Sequence, residues 1–138
     1  MAIPSSAHAR RFYRAAKQRF DDALLLLDME RTTAAVYLAG YSVECMFKAL
    51  ILSIVPEAEA EEILRMFRGA RAHDYEWLIR LYVERGGPRM PPHVVPHIAR
   101  VNSWSTDMRY APGTIAAREA KAFMDSVTEI VTWADGRL

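Results

Sequence analysis

An all-α, up-and-down helical bundle is the fold class that three observations predict. Ala35 to Val55 is apolar nearly throughout, with Glu44 and Lys48 its only charges beyond Val36, and it is long enough for a helix of about five to six turns. Helical periodicity of apolar residues recurs on both sides of it, over Ala9 to Leu27 and Ala116 to Ala134. No stretch alternates convincingly as a strand, and no internal repeat, linker or low-complexity tract interrupts the chain. With 138 residues, 51% hydrophobic and 25% charged, residues 1–138 are expected to form one domain with a core of its own. Three long helices and two or three shorter ones are expected.

The elements follow in order. Ser5 and Ser6 are N-cap candidates for a first helix ending near Met29. Its apolar face is Ala9, Phe12, Tyr13, Ala16, Phe20, Ala23, Leu24 and Leu27. Arg10, Arg11, Arg14, Lys17 and Arg19 crowd its first half. Cations there oppose the helix dipole, at roughly 0.3–1 kcal/mol each, a local conflict that hints at an anion-facing patch. Thr32 or Thr33 is expected to cap the central helix, and Pro56 to end it. Its apolar face is Val36, Ala39, Val43, Met46, Phe47, Leu50 and Ile54. Thr33, Tyr37, Tyr41, Glu44 and Lys48 form a polar stripe on the opposite side, which must meet a partner, a pocket or water.

Glu57 to Arg68 reads as a short amphipathic helix with acids first and arginines last, stopped by Gly69. Asp74 caps a helix of Tyr75, Trp77, Leu78, Leu81 and Tyr82, which ends at Gly86-Gly87. Pro88 to Pro96 holds four prolines and reads as a loop. A short helix is expected from about His97 to Trp104, then a polar loop from Ser105 to Gly113. The last helix is expected over Thr114 to Ala134, with Ala116, Ala120, Phe123, Val127, Ile130 and Ala134 facing the core.

Composition narrows the function. A net charge of +1 supplies no strong global field toward nucleic acid or membrane, so such binding needs local patches. The single Cys45 excludes an internal disulfide and a cysteine zinc site. The opening MAIPSSAHARRF lacks the apolar core of a signal peptide, and a cytoplasmic location is expected. The central stretch nears the ~20 residues of a membrane span, but Lys48 near its middle would cost roughly 2.5–3.5 kcal/mol in lipid. A buried core helix is the expectation, with no membrane partner.

Glu44 precedes Lys48 by one turn, the favourable order for an ion pair. On a buried helix two such charges are expensive unless well paired, so the stripe either opens to solvent in a groove, acts as a structural tie, or does something specific. The run Leu38-Ala39-Gly40-Tyr41-Ser42-Val43-Glu44-Cys45-Met46-Phe47-Lys48-Ala49-Leu50 resembles the second-helix signature of HEPN domains, in which Gly-Tyr-x-x-Glu-Cys-x-x-Lys-Ala-Leu is frequent. His73 with Tyr75, Trp77 and Leu78 is similar to the start of that family's third helix. Trp104 to Tyr110, WSTDMRY, is similar to the Trp…Arg-Tyr stretch before its last helix.

The resemblance implies two long antiparallel helices at the heart of the bundle and, often, a homodimer. It implies nucleotide or RNA binding, and a setting beside a nucleotidyltransferase partner protein in toxin–antitoxin or defence systems. RNase members carry an Arg, four to six residues, then a His at the opening of the last helix. The His serves as acid or base near a 2′-hydroxyl, and the Arg on the phosphate. This chain departs from that pattern. Arg109 is present, but Thr114, Ile115 and Ala116 stand where the His is expected. Arg68 and His73 have the spacing, although they precede the third helix and Gly69 interrupts any shared face.

His93 and His97 have the i,i+4 spacing of metal ligands, but Pro96 and Pro91-Pro92 argue against a regular helix there, so neither metal nor cofactor is expected. The first expectation is a non-catalytic domain binding nucleotide, RNA or a partner protein through Glu44, Lys48, His73, Asp107, Arg109 and Tyr110. Lys48 and Arg109 would hold phosphate, Tyr110 would stack, and Glu44 with Asp107 would orient the cations. The alternatives are a metal-independent RNase using His73 with Arg68 or Arg109, and a structural dimerisation or antidote module.

Overall fold

Ser6 starts the first helix, α1 (Ala7–Asp28), its side chain accepting from the Ala9 amide at 3.3 Å. The computed structural model describes Pro4 and residues 6–138, the side chain of Arg109 excepted; Ser5, the other capping candidate, lies outside the described residues. α1 ends in a Schellman turn: Arg31 N–H donates to Leu26 O at 2.9 Å and Glu30 N–H to Leu27 O at 3.0 Å. Glu30 takes the left-handed position of that turn, with φ 62°. The chain then reverses into α2 (Thr32–Ile54). Phe12, near the start of α1, meets Lys48 in the second half of α2, so the two helices are antiparallel.

α1 packs along α2 through Ala9, Ala16 and Ala23, all fully buried. Spaced by seven and lacking atoms beyond Cβ, they let the two backbones approach closely. Leu24, expected on that face, is 40% exposed; Ala23 beside it takes the seam position. Val36, Ala39, Val43, Met46, Phe47 and Leu50 are buried as the periodicity predicts. α2 has the length and hydropathy of a membrane span, yet most of it is packed inside the protein.

Thr32 and Thr33 do not cap α2, whose N-cap residue is Arg31 with no side-chain bond. Thr32 Oγ1 donates instead to Ile115 O at 2.6 Å, and Thr33 Oγ1 accepts from Ile115 N–H at 3.1 Å. The hydroxyls therefore tie the start of α2 to the segment leading into the last helix, α6 (Ala117–Asp135). Those bonds hold residues 114–116 non-helical, so α6 begins after the expected Thr114 and Ala116 is exposed. Its inward face of Ala120, Phe123, Val127, Ile130 and Ala134 is buried and packs on α2.

Between α2 and α6 the chain is shorter-stepped. The expected Glu57 to Arg68 helix is a 3-10 turn, Glu57–Glu59, followed by α3 (Ala60–Met66). Asp74 caps α4 (Tyr75–Glu84), accepting from the Glu76 amide at 2.9 Å. The next helix, α5 (Val95–Val101), starts earlier than expected because Pro96 sits in its first turn, where a missing N–H costs nothing. It also ends before Trp104. A 3-10 turn, Thr106–Tyr110, occupies the expected polar loop. No strand occurs among the described residues; the fold is all-α.

Candidate functional site

The charged end of the polar stripe of α2 does not face solvent. Glu44 is 3% exposed and Lys48 5%, and Lys48 Nζ donates to Glu44 Oε2 at 2.8 Å. The second carboxylate oxygen, Oε1, lies 2.8 Å from His73 Nδ1, brought in by the 3-10 turn Ala70–His73 just before α4. One buried carboxylate thus bridges an ammonium and an imidazole. Such a group is tolerable inside a core only because both oxygens are bonded. Lys48 Nζ also lies 5.3 Å from the Phe67 ring and 5.9 Å from the Phe12 ring, a cation–π environment that replaces part of its lost water. His73 is the open end of the chain, with 43% of its side chain exposed.

An aromatic wall stands beside this chain. Trp104 lies flat against Gly40, where a Cβ would overlap the indole, so α2 needs glycine there. The indole Nε1 donates to Tyr37 O at 3.0 Å, and Tyr75 OH donates to Gly40 O at 2.8 Å. Trp104 stacks on Tyr75 with 5.6 Å between centroids and meets Tyr41 edge-on at 4.9 Å. Tyr41 in turn meets the His73 ring edge-on at 6.3 Å. Burial, and then the Glu44 charge, holds the Tyr75 phenol well above its ordinary pKa. Cys45, next to Glu44, is pushed up from 9.0 to about 11 by burial first and Glu44 second, which leaves it a poor nucleophile.

The Lys48–Glu44–His73 chain joins two openings of different character. At the His73 end is a groove of about 430 Å³ lined by His73, Asp74, Glu76, Asn102, Ser105 and Thr106. Asn102 Nδ2 donates to Glu76 Oε1 at 3.3 Å within it. At the Lys48 end is a basic pocket of about 240 Å³, lined by Arg11, Arg65, Arg68 and Lys48 with Phe12 and Phe67. A third, apolar opening of about 300 Å³ lies between α2, α5 and α6 around Val36, Trp104 and Phe123, away from the charged chain.

Of the residues singled out in the sequence, Glu44, Lys48 and His73 are brought together. Asp107 and Tyr110 are exposed on the 3-10 turn that Thr106 begins, adjoining the groove and not lining it. Arg68 lines the basic pocket, so it does not share the groove with His73. The side chain of Arg109 lies outside the described residues. Asn102, Ser105 and Thr106 escaped the sequence reading; the polar run after Trp104 was the available signal for the last two. His97 Nδ1 lies 3.0 Å from Ser126 Oγ, a link between α5 and α6. Among the described residues no three His, Cys, Asp or Glu side chains are grouped to hold a metal.

Chemically, the bond to Glu44 directs the Nδ1 proton of His73 toward the carboxylate and leaves Nε2 as the working nitrogen. It accepts when the ring is neutral and donates when it is charged. Fold and site together define an α-helical domain whose apolar central helix carries a buried Lys–Glu pair presenting a histidine to a polar groove. The HEPN domain family model matches residues 9–137, and the chain belongs to that family. No curated protein and no solved structure matches it significantly.

Proposed function

We propose that this HEPN domain binds nucleotide or RNA without cleaving it, in the groove between His73 and the Thr106–Tyr110 turn. The observation that supports this most is the His73 ring, fixed through Nδ1 at 2.8 Å from a buried carboxylate yet 43% exposed beside Asn102, Ser105 and Thr106. Such pre-oriented hydrogen-bonding groups read base edges and ribose hydroxyls. Asp74 and Glu76 in the same groove repel a phosphodiester, so bases and sugars face His73 while phosphates run outside it. Tyr110, 74% exposed, stacks a base one turn away, and Arg109 meets a phosphate, with Asp107 orienting it.

Anisotropy titrations with short labelled RNAs and nucleotides test this directly. Tyr110→Ala should weaken binding by roughly 1–3 kcal/mol, and Arg109→Ala should lower the salt slope by about 1. Unchanged affinity and slope in both variants, and in His73→Ala, would remove the groove from the account.

The carboxylate-held imidazole also favours a second reading, a metal-independent RNase with His73 as acid or base. Arg68 lines the other pocket, which leaves Arg109 as the phosphate partner. Cleavage that persists in EDTA and disappears in His73→Ala would establish it. A homodimer and a nucleotidyltransferase partner within a toxin–antitoxin or defence system complete the proposal. Light scattering of the purified chain tests the first and co-expression the second. Absence of any ligand shift would favour a dimerisation or antidote module.

A further inference from the structure

We infer that the pocket between α1 and α3 is a second binding site, separate from the His73 groove, for a phosphate monoester dianion. Its lining combines three guanidiniums, Arg11, Arg65 and Arg68, with the ammonium of Lys48. None of the three arginines has a carboxylate within ion-pair distance among the described residues. Arg65 follows Glu61 by one turn, the favourable pairing order, yet Glu61 approaches His8 instead, at 3.8 Å. Lys48 and Glu44 neutralise each other. Three arginine charges less that of Glu61 leave an excess of two, which matches a dianion.

The buried end of the pocket separates it from an ordinary basic surface. Lys48 is 5% exposed, spends one N–H on Glu44, and lines the pocket between the Phe12 and Phe67 rings. Phe12 and Phe67, crossed edge-on with 5.7 Å between centroids, hold this ammonium in place and lower the local dielectric, where a charge-assisted bond is strongest. Arg11 is itself held 5.1 Å from the Phe12 ring. A bound dianion would also offset Arg11, one of the cations that crowd the unfavourable first half of α1. Guanidinium forks suit phosphate oxygens bidentately.

The test is calorimetric titration with inorganic phosphate, AMP, and a short RNA carrying either a 5′-phosphate or a 5′-hydroxyl, all at constant ionic strength against a chloride control. Phosphate should bind the wild type above the chloride control. The exposed double substitution Arg65→Gln/Arg68→Gln should weaken it by roughly tenfold or more, with helicity by circular dichroism unchanged. A gain of the 5′-phosphorylated RNA over its hydroxyl twin, lost in the double variant, identifies an RNA end as the source. Equal twins with phosphate and AMP still binding identify a free nucleotide or phosphate. No binding of inorganic phosphate beyond chloride, or phosphate binding undiminished in the double variant, overturns the site. The 5′-hydroxyl RNA carries no monoester dianion, so its failure to bind would count against the His73 groove and not against this pocket.

Discussion

Glu44 is the residue on which the interior charge balance turns. It accepts from Lys48 on one side and faces His73 on the other, each at 2.8 Å. Glu44→Gln preserves shape and some hydrogen bonding but leaves the Lys48 ammonium buried without an opposite charge. Removing one partner of a buried pair costs about 3–5 kcal/mol, whereas replacing both with apolar groups is often nearly neutral. Urea unfolding at neutral pH should therefore show the single variant strongly destabilised and Glu44→Gln/Lys48→Met recovering most of the loss. A single variant within 1 kcal/mol of wild type, on the order of an exposed pair, would mean that water reaches the pair. The pair itself was legible in the sequence as an i,i+4 spacing on an apolar helix. Its third member was not legible from periodicity, since His73 lies 29 positions from Glu44; only the family resemblance placed the two residues in one site.

At the scale of elements, helix starts and stops show which local signals survive packing. Ser6 and Asp74 cap as their chemistry predicts, each side chain accepting from an amide of its own helix. Thr32 and Thr33 were equally good candidates, and the residues before α6 claimed them. A tertiary bond displaced a local one. The end of α1 was legible only approximately because its Schellman turn lacks the usual glycine: Glu30 holds φ 62°, a conformation costing an ordinary residue about 1–2 kcal/mol. Glu30→Gly should accordingly raise stability, by about 0.5–1 kcal/mol after the added entropy of the unfolded chain is counted. A rise of a few degrees in the thermal midpoint would match. A fall would mean that the Glu30 side chain contributes more than its backbone costs.

Across the whole molecule, α2 is the axis on which α1, α4 and α6 pack, and the burial of weak acids in and around it shapes the protein's response to alkali. The all-α fold could be read from periodicity because each helix writes its core face locally. The junction of α2 with α4 and Trp104 could not, because the indole reaches Tyr37 across 67 positions. Weak acids there and elsewhere in the bundle hold on to their protons. Burial raises Cys45 from 9.0 to about 11 and the Tyr75 phenol well above its ordinary value; Tyr13 and Tyr82 are raised also. Between about pH 9 and 11 the unfolded chain has released the thiol proton while the folded chain keeps it. The unfolded state then binds fewer protons, so unfolding free energy falls as pH rises. The stabilisation is fully present below about pH 9 and lost as pH climbs through about 11, with the tyrosines extending the decline above. Urea midpoints measured from pH 7 to 11 should fall for wild type and fall less steeply for Cys45→Ala, whose remaining slope belongs to the tyrosines. In parallel, a thiol-alkylating reagent should label the native protein slowly until the pH nears 11. Rapid labelling at pH 8, or parallel slopes for the two proteins, would show that the surroundings of the half-buried Cys45 thiol do not govern the alkaline limb.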